Sequence, residues 1–335
     1  GGGPNVTTLE VSIYHAVRFS FDMQLAACLS ILQILICSGL ILISRPINFA
    51  ISSPSANAKK YRVERSDKET LISRLTDLFC LTMFFLLIVL PLIALFFRLD
   101  LSSGLKLFEQ ERFWSAFYIS NKLAFFSSIL TVGIAIILIH SRFRLAQSGA
   151  HLWIQFIDFS VSFYLLMPAI VFATGCFLLL RNIINLFEFA FWLVLLANIL
   201  FSLPFVLRIL SPSLEQTLSQ HDKLCLQLGI TGVRKFFTLT MPAITRELQL
   251  VFGLSFAFSL GDLSVITLFG NHEFETLPYY LYQLFSRYGA SEADMLGIFI
   301  LGYIFGAYLI FGVILRCIGS LQSYSRTVIR NATIK

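Results

Sequence analysis

Apolar residues run on for about 18 or more positions without a charged residue between them, and such runs recur along this chain. At 1.5 Å per residue, a run of that length crosses a hydrocarbon core about 30 Å thick. Seven spans are predicted: Met23 to Ser44, Leu75 to Phe97, Leu123 to His140, Ile154 to Leu180, Leu186 to Leu207, Leu248 to Leu268 and Met295 to Leu315. Lipid offers no water to a backbone N–H or C=O, so each span is expected to be an α-helix, which satisfies its own groups. A transmembrane barrel would alternate apolar and polar residues at period two in short segments. These runs are continuous instead, and the expected fold class is all-α, a polytopic transmembrane helical bundle.

Composition agrees with that reading. Apolar residues make up 57% of the 335 residues and charged ones 13%, against about 25% charged in soluble domains. The net charge of +6 raises a nucleic-acid partner as a question, and its placement answers it. Lys and Arg number seven in 45–74, two in 141–152, five in 208–246 and four in 316–335, with seven elsewhere. By the positive-inside rule the four rich segments are cytoplasmic, and so is the carboxy terminus. The cations are therefore assigned to membrane lipids and the inner face, and no nucleic acid is expected. The six cysteines are scattered without a CxxC pair, so they read as small apolar packing residues.

An internal comparison orders the chain. Thr8-Leu9, three residues, then Ile13-Tyr14-His15 recurs 268 positions later as Thr276-Leu277, three residues, then Leu281-Tyr282-Gln283, and Gly2 falls on Gly270. Short matches of this kind also arise by chance, but in both copies an outer segment leads into an apolar span. The chain opens on Gly1-Gly2-Gly3-Pro4, without an initiator Met or a signal-peptide pattern. The expected organisation is therefore residues 1–44 as the tail of a first half with its last span at 23–44, 45–74 as a cytoplasmic linker, and 75–335 as a second half of six spans. The linker holds Pro46, Pro54 and the run Lys59-Lys60-Tyr61-Arg62, cations worth about 1 kcal/mol each near anionic headgroups.

The inner segment 211–246 is polar at first and then amphipathic. In Asp222-Lys223-Leu224-Cys225-Leu226-Gln227-Leu228-Gly229, residues Leu218, Leu224 and Leu228 share a broad helical face. Gly229 is placed to end the helix in the left-handed conformation. Pro242, thirteen residues on, is placed to stop one short helix and start the next span. This helix-Gly-Pro unit is similar to the EAA loop of ABC importer permeases, which docks in a groove of the ATPase subunit, although Lys223-Leu224-Cys225 stands where Glu-Ala-Ala is usual. The ATPase-coupling residues the resemblance implies are Asp222, Lys223, Leu224, Cys225, Leu228, Gly229 and Pro242. An ordinary amphipathic loop is the alternative.

Three further places carry polar chemistry. Asp262, beside Gly261, lies inside a predicted span, where a carboxylate costs about 2.5 to 3.5 kcal/mol and should face a cavity or a partner. It either attracts a cationic solute or caps a broken helix. Met167-Pro168 with Thr174-Gly175 interrupts another span, either as a kink lining a path or as a packing kink; Asp158, near the inner end of that span, reads as an interface residue. The outer segment 269–293 holds Asn271, Tyr279, Tyr280 and Tyr282, which suit either a binding-protein contact or a membrane-interface belt. The candidate translocation path is thus Pro168, Thr174, Gly175, Gly261 and Asp262. Candidate binding-protein contacts are Asn271, Tyr279 and Tyr282. No GxxxxGK[ST], GxSxG, HExxH or CxxC pattern occurs and the five His are dispersed, so ATP hydrolysis is assigned to a partner, and no catalytic residue, metal ligand or cofactor is expected in this chain.

The stretches GGGPNVTTLEVSIYHA, MPAIVFATGCFLLL, LCLQLGITG and SLGDLSVITLFGNHEFETLPYYLYQ resemble the thiamine ABC transporter permease family, in which two permease halves of the MetI-like type are fused. The resemblance implies a multi-pass protein of the bacterial inner membrane. It also implies ABC ATPase subunits and a periplasmic thiamine-binding protein as partners, and import of thiamine and its phosphate esters by alternating access. A missing first half, or a second permease copy, would complete the path. A ferric iron importer permease and an ion-coupled secondary transporter are the competing functional readings, with a membrane scaffold as a third class.

Overall fold

The computed structural model describes the chain except for residues 1–7, 49–70, 98–100, 184, 187, 228, 230–231, 271–273, 287–289 and 334–335. The described residues form helices and no strand. In chain order these are α1 (Leu9–Arg18), α2 (Met23–Asn48), α3 (Leu71–Phe97), α4 (Leu101–Glu109), α5 (Glu111–Gln147), α6 (His151–Leu166), α7 (Ala169–Leu180) and α8 (Ala190–Gln227). There follow α9 (Gly232–Lys235), a π-helical turn at Phe236–Thr240, α10 (Met241–Ala243), α11 (Thr245–Gly261), α12 (Ile266–Phe269), α13 (Leu277–Ser286) and α14 (Ala290–Thr333). Most of the proposed linker lies outside the described residues.

Among the described residues, five helices are long and apolar enough to cross a membrane singly, and a sixth crossing counts if Phe236–Ala243 and Thr245–Gly261, bent by 76°, act together. The span expected at Ile154 to Leu180 is interrupted, as its Met167-Pro168 predicts, and neither piece is among these helices. Met167 and Pro168 both take extended backbone conformations, so the run splits into α6 of 16 residues and α7 of 12. Proline excludes the residue before it from the helical region and brings no N–H of its own, which accounts for the break. The Leu248 to Leu268 span is broken as well: α11 stops at Gly261 and Asp262 is extended. The span predicted at Leu186 to Leu207 deviates the other way, because α8 continues to Gln227 through Pro204 and Pro212. Leu210, Leu214 and Leu218, spaced at every fourth residue, are buried in one apolar cluster and hold the extension helical.

At the centre α11 packs against α5, α8 and α14, and α5 packs against α8. Lipid tails are as apolar as leucine, so helices in a bilayer associate through close packing and interhelical hydrogen bonds. Both devices are present. The buried Ser202 hydroxyl on α8 donates to the Asn198 carbonyl (2.6 Å), accepts from Ser255 on α11 (3.2 Å) and lies 3.1 Å from the Thr131 hydroxyl on α5. Between α11 and α14, Gly253 faces the Tyr308 ring and Gly312 faces the Gln249 amide so closely that a β-carbon at either glycine would collide. That approach lets Phe252 and Phe311 stack at 3.6 Å between ring centroids. By contrast α3 buries none of its residues, as an apolar helix can when lipid is its solvent.

The 268-residue offset read in the sequence also relates local structure. It carries the bounds of α1 onto those of α13, and the apolar start at Met23 onto Ser291. The first backbone hydrogen bonds correspond too, Ser12 N to Thr8 O (2.9 Å) and Tyr280 N to Thr276 O (2.8 Å). Each copy is a ten-residue helix leading into a long apolar one.

Gly253→Val should force α11 and α14 apart at Tyr308 and lower thermal stability by about 1 to 3 kcal/mol. Gly302→Ala, where a β-carbon meets nothing within 4 Å, should leave stability unchanged. Thermal unfolding of both variants in detergent checks this, and equal behaviour would contradict the close-approach account.

Candidate functional site

The two interrupted helices meet. A cavity of about 340 Å³ is lined by Met167 and Ala169, which flank Pro168, and by Ala257, Phe258, Gly261 and Asp262 at the end of α11. Tyr164 of α6 and Asn198, Phe201 and Phe205 of α8 complete the wall. Helices are broken at membrane depth only where other protein or a cavity takes up the freed backbone groups, and here both breaks border the same space. Asp262 turns one carboxylate oxygen back onto its own chain, Oδ1 accepting from Ser264 N at 3.0 Å. Its other oxygen, Oδ2, is buried and has no hydrogen-bond partner. Asp262 thus bonds the backbone of the turn that follows the broken helix and also lines the cavity.

The other expected path residues are placed differently. Thr174 is buried and donates to the Ile170 carbonyl of its own helix (2.8 Å), while Gly175 lies with it on α7, and neither lines the cavity. Sequence reasoning missed Asn198, Tyr164, Phe201, Phe205 and Phe258. Asn198 was detectable as an amide within the predicted span Leu186 to Leu207; its Nδ2 donates to Ser259 at 2.7 Å, tying α8 to α11 beside the cavity. The aromatic residues carry no such signal, because phenylalanine occurs 35 times in the chain. Arg142 of α5 contacts Asp158 of α6 (3.3 Å) and Glu215 of α8 (3.4 Å). Ser213 donates to Glu247 of α11 (3.0 Å), so four helices are cross-linked there. Asp158 is thus an interface residue.

In the inner segment Gly229 is exposed with φ +65°, the left-handed conformation expected of it, and Gly232 repeats this at φ +63°. Asp222, Lys223 and Leu224 lie on α8, but their side chains, like the whole of Leu228, fall outside the described residues. Cys225 and Leu218 are buried within the chain, so Leu218 does not belong to a free docking face. Pro242 sits in α10 immediately before the 76° bend into α11.

In the outer segment Tyr279 is buried against Gly270 and Tyr280 is buried in the cluster with Phe113 and Leu296, leaving Tyr282 at 41% exposure. Tyr279 is accordingly a packing residue, and Asn271 is outside the described residues. The segment is fastened to the start of α5. Arg112 forms a bidentate pair with Glu275 (2.7 Å for each bond), donates to Gln283 and lies over the Tyr280 ring, whose hydroxyl donates to Gln110 at 2.5 Å.

These features define an all-α polytopic membrane protein with a cavity where two predicted spans are broken. The chain is 32% identical over 301 residues to the thiamine transport system permease protein ThiP of Escherichia coli (strain K12), covering 90% of this chain and 56% of that protein. It is 33% identical over 296 residues to ThiP of Haemophilus influenzae, covering 88% and 54%. A Fe(3+)-transport system permease protein, FbpB 2 of Haemophilus influenzae, matches at 27% over 279 residues, covering 82% and 54%. The chain spans about half the length of the curated relatives it matches, and no family model matches it.

Arg112→Ala should strand the Glu275 carboxylate, whose residue is 5% exposed, and cost on the order of 3 kcal/mol of stability. The double variant Arg112→Ala/Glu275→Ala should lose less than the sum of the single losses. Strictly additive losses in thermal unfolding would show that the pair does not fasten the outer segment.

Proposed function

We propose that this chain is a transmembrane permease subunit of an ABC importer that forms a translocation path for thiamine, with its phosphate esters, and is driven by a separate ATPase. The observation that carries this reading is the cavity at the two helix breaks, with the spare carboxylate oxygen of Asp262 on its wall. Thiamine bears a positive charge on its thiazolium ring, which a carboxylate attracts, and the relatives of highest identity named above are thiamine transport permeases. One carboxylate among aromatic walls suits Fe(3+) poorly, since hard cations call for several oxygen ligands. On this reading the protein resides in the bacterial inner membrane with its carboxy terminus in the cytoplasm, catalyses no reaction and holds no cofactor. Residues 1–44 belong to a first permease half and 75–335 to a second, joined by 45–74. ATP is bound by ABC ATPase subunits, and a periplasmic thiamine-binding protein delivers the solute.

The Gly229 turn marks the proposed ATPase contact. Proline fixes φ near −65°, incompatible with the +65° at Gly229, so Gly229→Pro should deform that turn alone.

Proteoliposomes holding this chain together with the first permease half that completes its path, its ATPase and its binding protein should accumulate labelled thiamine only while ATP is hydrolysed, and this chain without that half should not. Gly229→Pro should abolish both co-purification of the ATPase and uptake. Accumulation without ATP, or an ATPase still bound and active in transport by Gly229→Pro, would count against the assignment.

A further inference from the structure

The cavity wall is not a neutral tube. Four aromatic side chains, Tyr164, Phe201, Phe205 and Phe258, border it together with Asn198 and Asp262. Three of the rings are held by neighbours: Phe205 and Phe258 lie 5.0 Å apart between centroids, and Phe201 meets Phe172 edge-on at 5.9 Å. Among the described lining residues the Asp262 carboxylate is the one ionisable acid, and no Lys or Arg stands beside it. The backbone amides of Ser264 and Val265 both serve its carboxylate, Ser264 at Oδ1, and Oδ2 is buried without a hydrogen-bond partner of its own. A buried carboxylate oxygen in that condition is costly, and a partner able to satisfy it would be held strongly.

The chemistry of the wall narrows that partner. An anion would be repelled by Asp262 and find no cation. A neutral apolar molecule would fill the volume and leave Oδ2 unsatisfied. A small metal cation would need several oxygens to replace its water, where the wall offers one carboxylate among mostly apolar side chains. A flat organic cation meets every requirement at once: its charge pairs with Oδ2, and its ring lies against aromatic faces that attract positive charge. The volume of about 340 Å³ is at the small end of ligand pockets, which suits one or two rings and excludes a peptide.

From this juxtaposition we infer that the permease itself binds its solute at this cavity, reading the positive charge of an aromatic heterocycle through Asp262 and the ring faces of Phe201, Phe205 and Phe258. The inference rests on the transport reading above and adds that selectivity for a cationic ring is built into the membrane subunit, beyond delivery by a partner protein. Asp262 is then a binding residue, and Asn198, bonded to Ser259, positions α8 against α11 to keep the rings in place.

The test is equilibrium binding to the protein in lipid nanodiscs, without ATPase or binding protein. The probes are labelled thiamine and its uncharged isostere, in which a thiophene replaces the thiazolium ring. The intact protein should bind thiamine at least about 10-fold more tightly than the isostere. Asp262→Asn should bring thiamine down to the affinity of the isostere while leaving the isostere within about 2-fold, and Phe258→Leu should weaken thiamine more than the isostere. If Asp262→Asn fails to yield folded protein, the thiamine-to-isostere ratio on the intact protein still decides. Equal affinity for the two probes, undiminished discrimination by Asp262→Asn, or no saturable binding of thiamine would overturn the inference. Those outcomes accompanied by ATP-driven thiamine uptake would sink the charge-reading site and spare the transport reading. Absence of uptake would sink the transport reading instead.

Discussion

The constraint on which the rest of this structure depends is that a backbone amide in lipid has no water to fall back on. Every stretch of chain at membrane depth must bond to itself as helix or be covered where it does not. Most of the described chain obeys the first half of that rule. The exceptions at Met167-Pro168 and at Asp262 obey the second, because both lie on one cavity and are enclosed by Tyr164, Asn198 and Phe258. The breaks and the cavity are therefore one feature, since the broken ends are tolerated by the space they help to create.

Without a hydrophobic driving force between helices, the bundle is held by contacts of another kind. Small residues bring α11 against α14 at Gly253 and Gly312, and hydroxyls join α5, α8 and α11 at Thr131, Ser202 and Ser255. Such interhelical bonds contribute about 0.6 kcal/mol each on average, so their role is to set register as much as to add stability. The outer segment depends on a stronger device, the bidentate Arg112–Glu275 pair with Gln110, Tyr280 and Gln283 around it. Helices α5, α6 and α8 are tied by Arg142 to Asp158 and Glu215.

Helix α8 links the cavity to the proposed motor contact. Asn198 lines the cavity, and the same helix runs on to Gln227, two residues before the left-handed turn at Gly229. That distance is about 45 Å at 1.5 Å per residue. Movement is transmitted more faithfully by a packed helix than by a loop, and Leu210, Leu214 and Leu218 keep this one packed beyond Pro204 and Pro212.

The sequence by itself determined that the chain is helical and bilayer-embedded, that it breaks at Pro168, that Gly229 turns left-handed, and that an outer-helix unit recurs at an offset of 268 residues. These follow from local causes: run length, proline's missing donor, glycine's freedom at positive φ. Only the tertiary structure decided which polar and aromatic residues share a space. Asp262 faces the cavity while Thr174 bonds to its own helix, and Tyr282 is exposed while Tyr279 is buried. It also decided that α8 would outrun its apolar stretch. In a soluble helix an amphipathic stripe would mark the inward face, but here lipid-facing and core-facing positions are both apolar, so the pattern carries no direction. The inward faces of α8 and α11 become distinguishable only once the helices are packed.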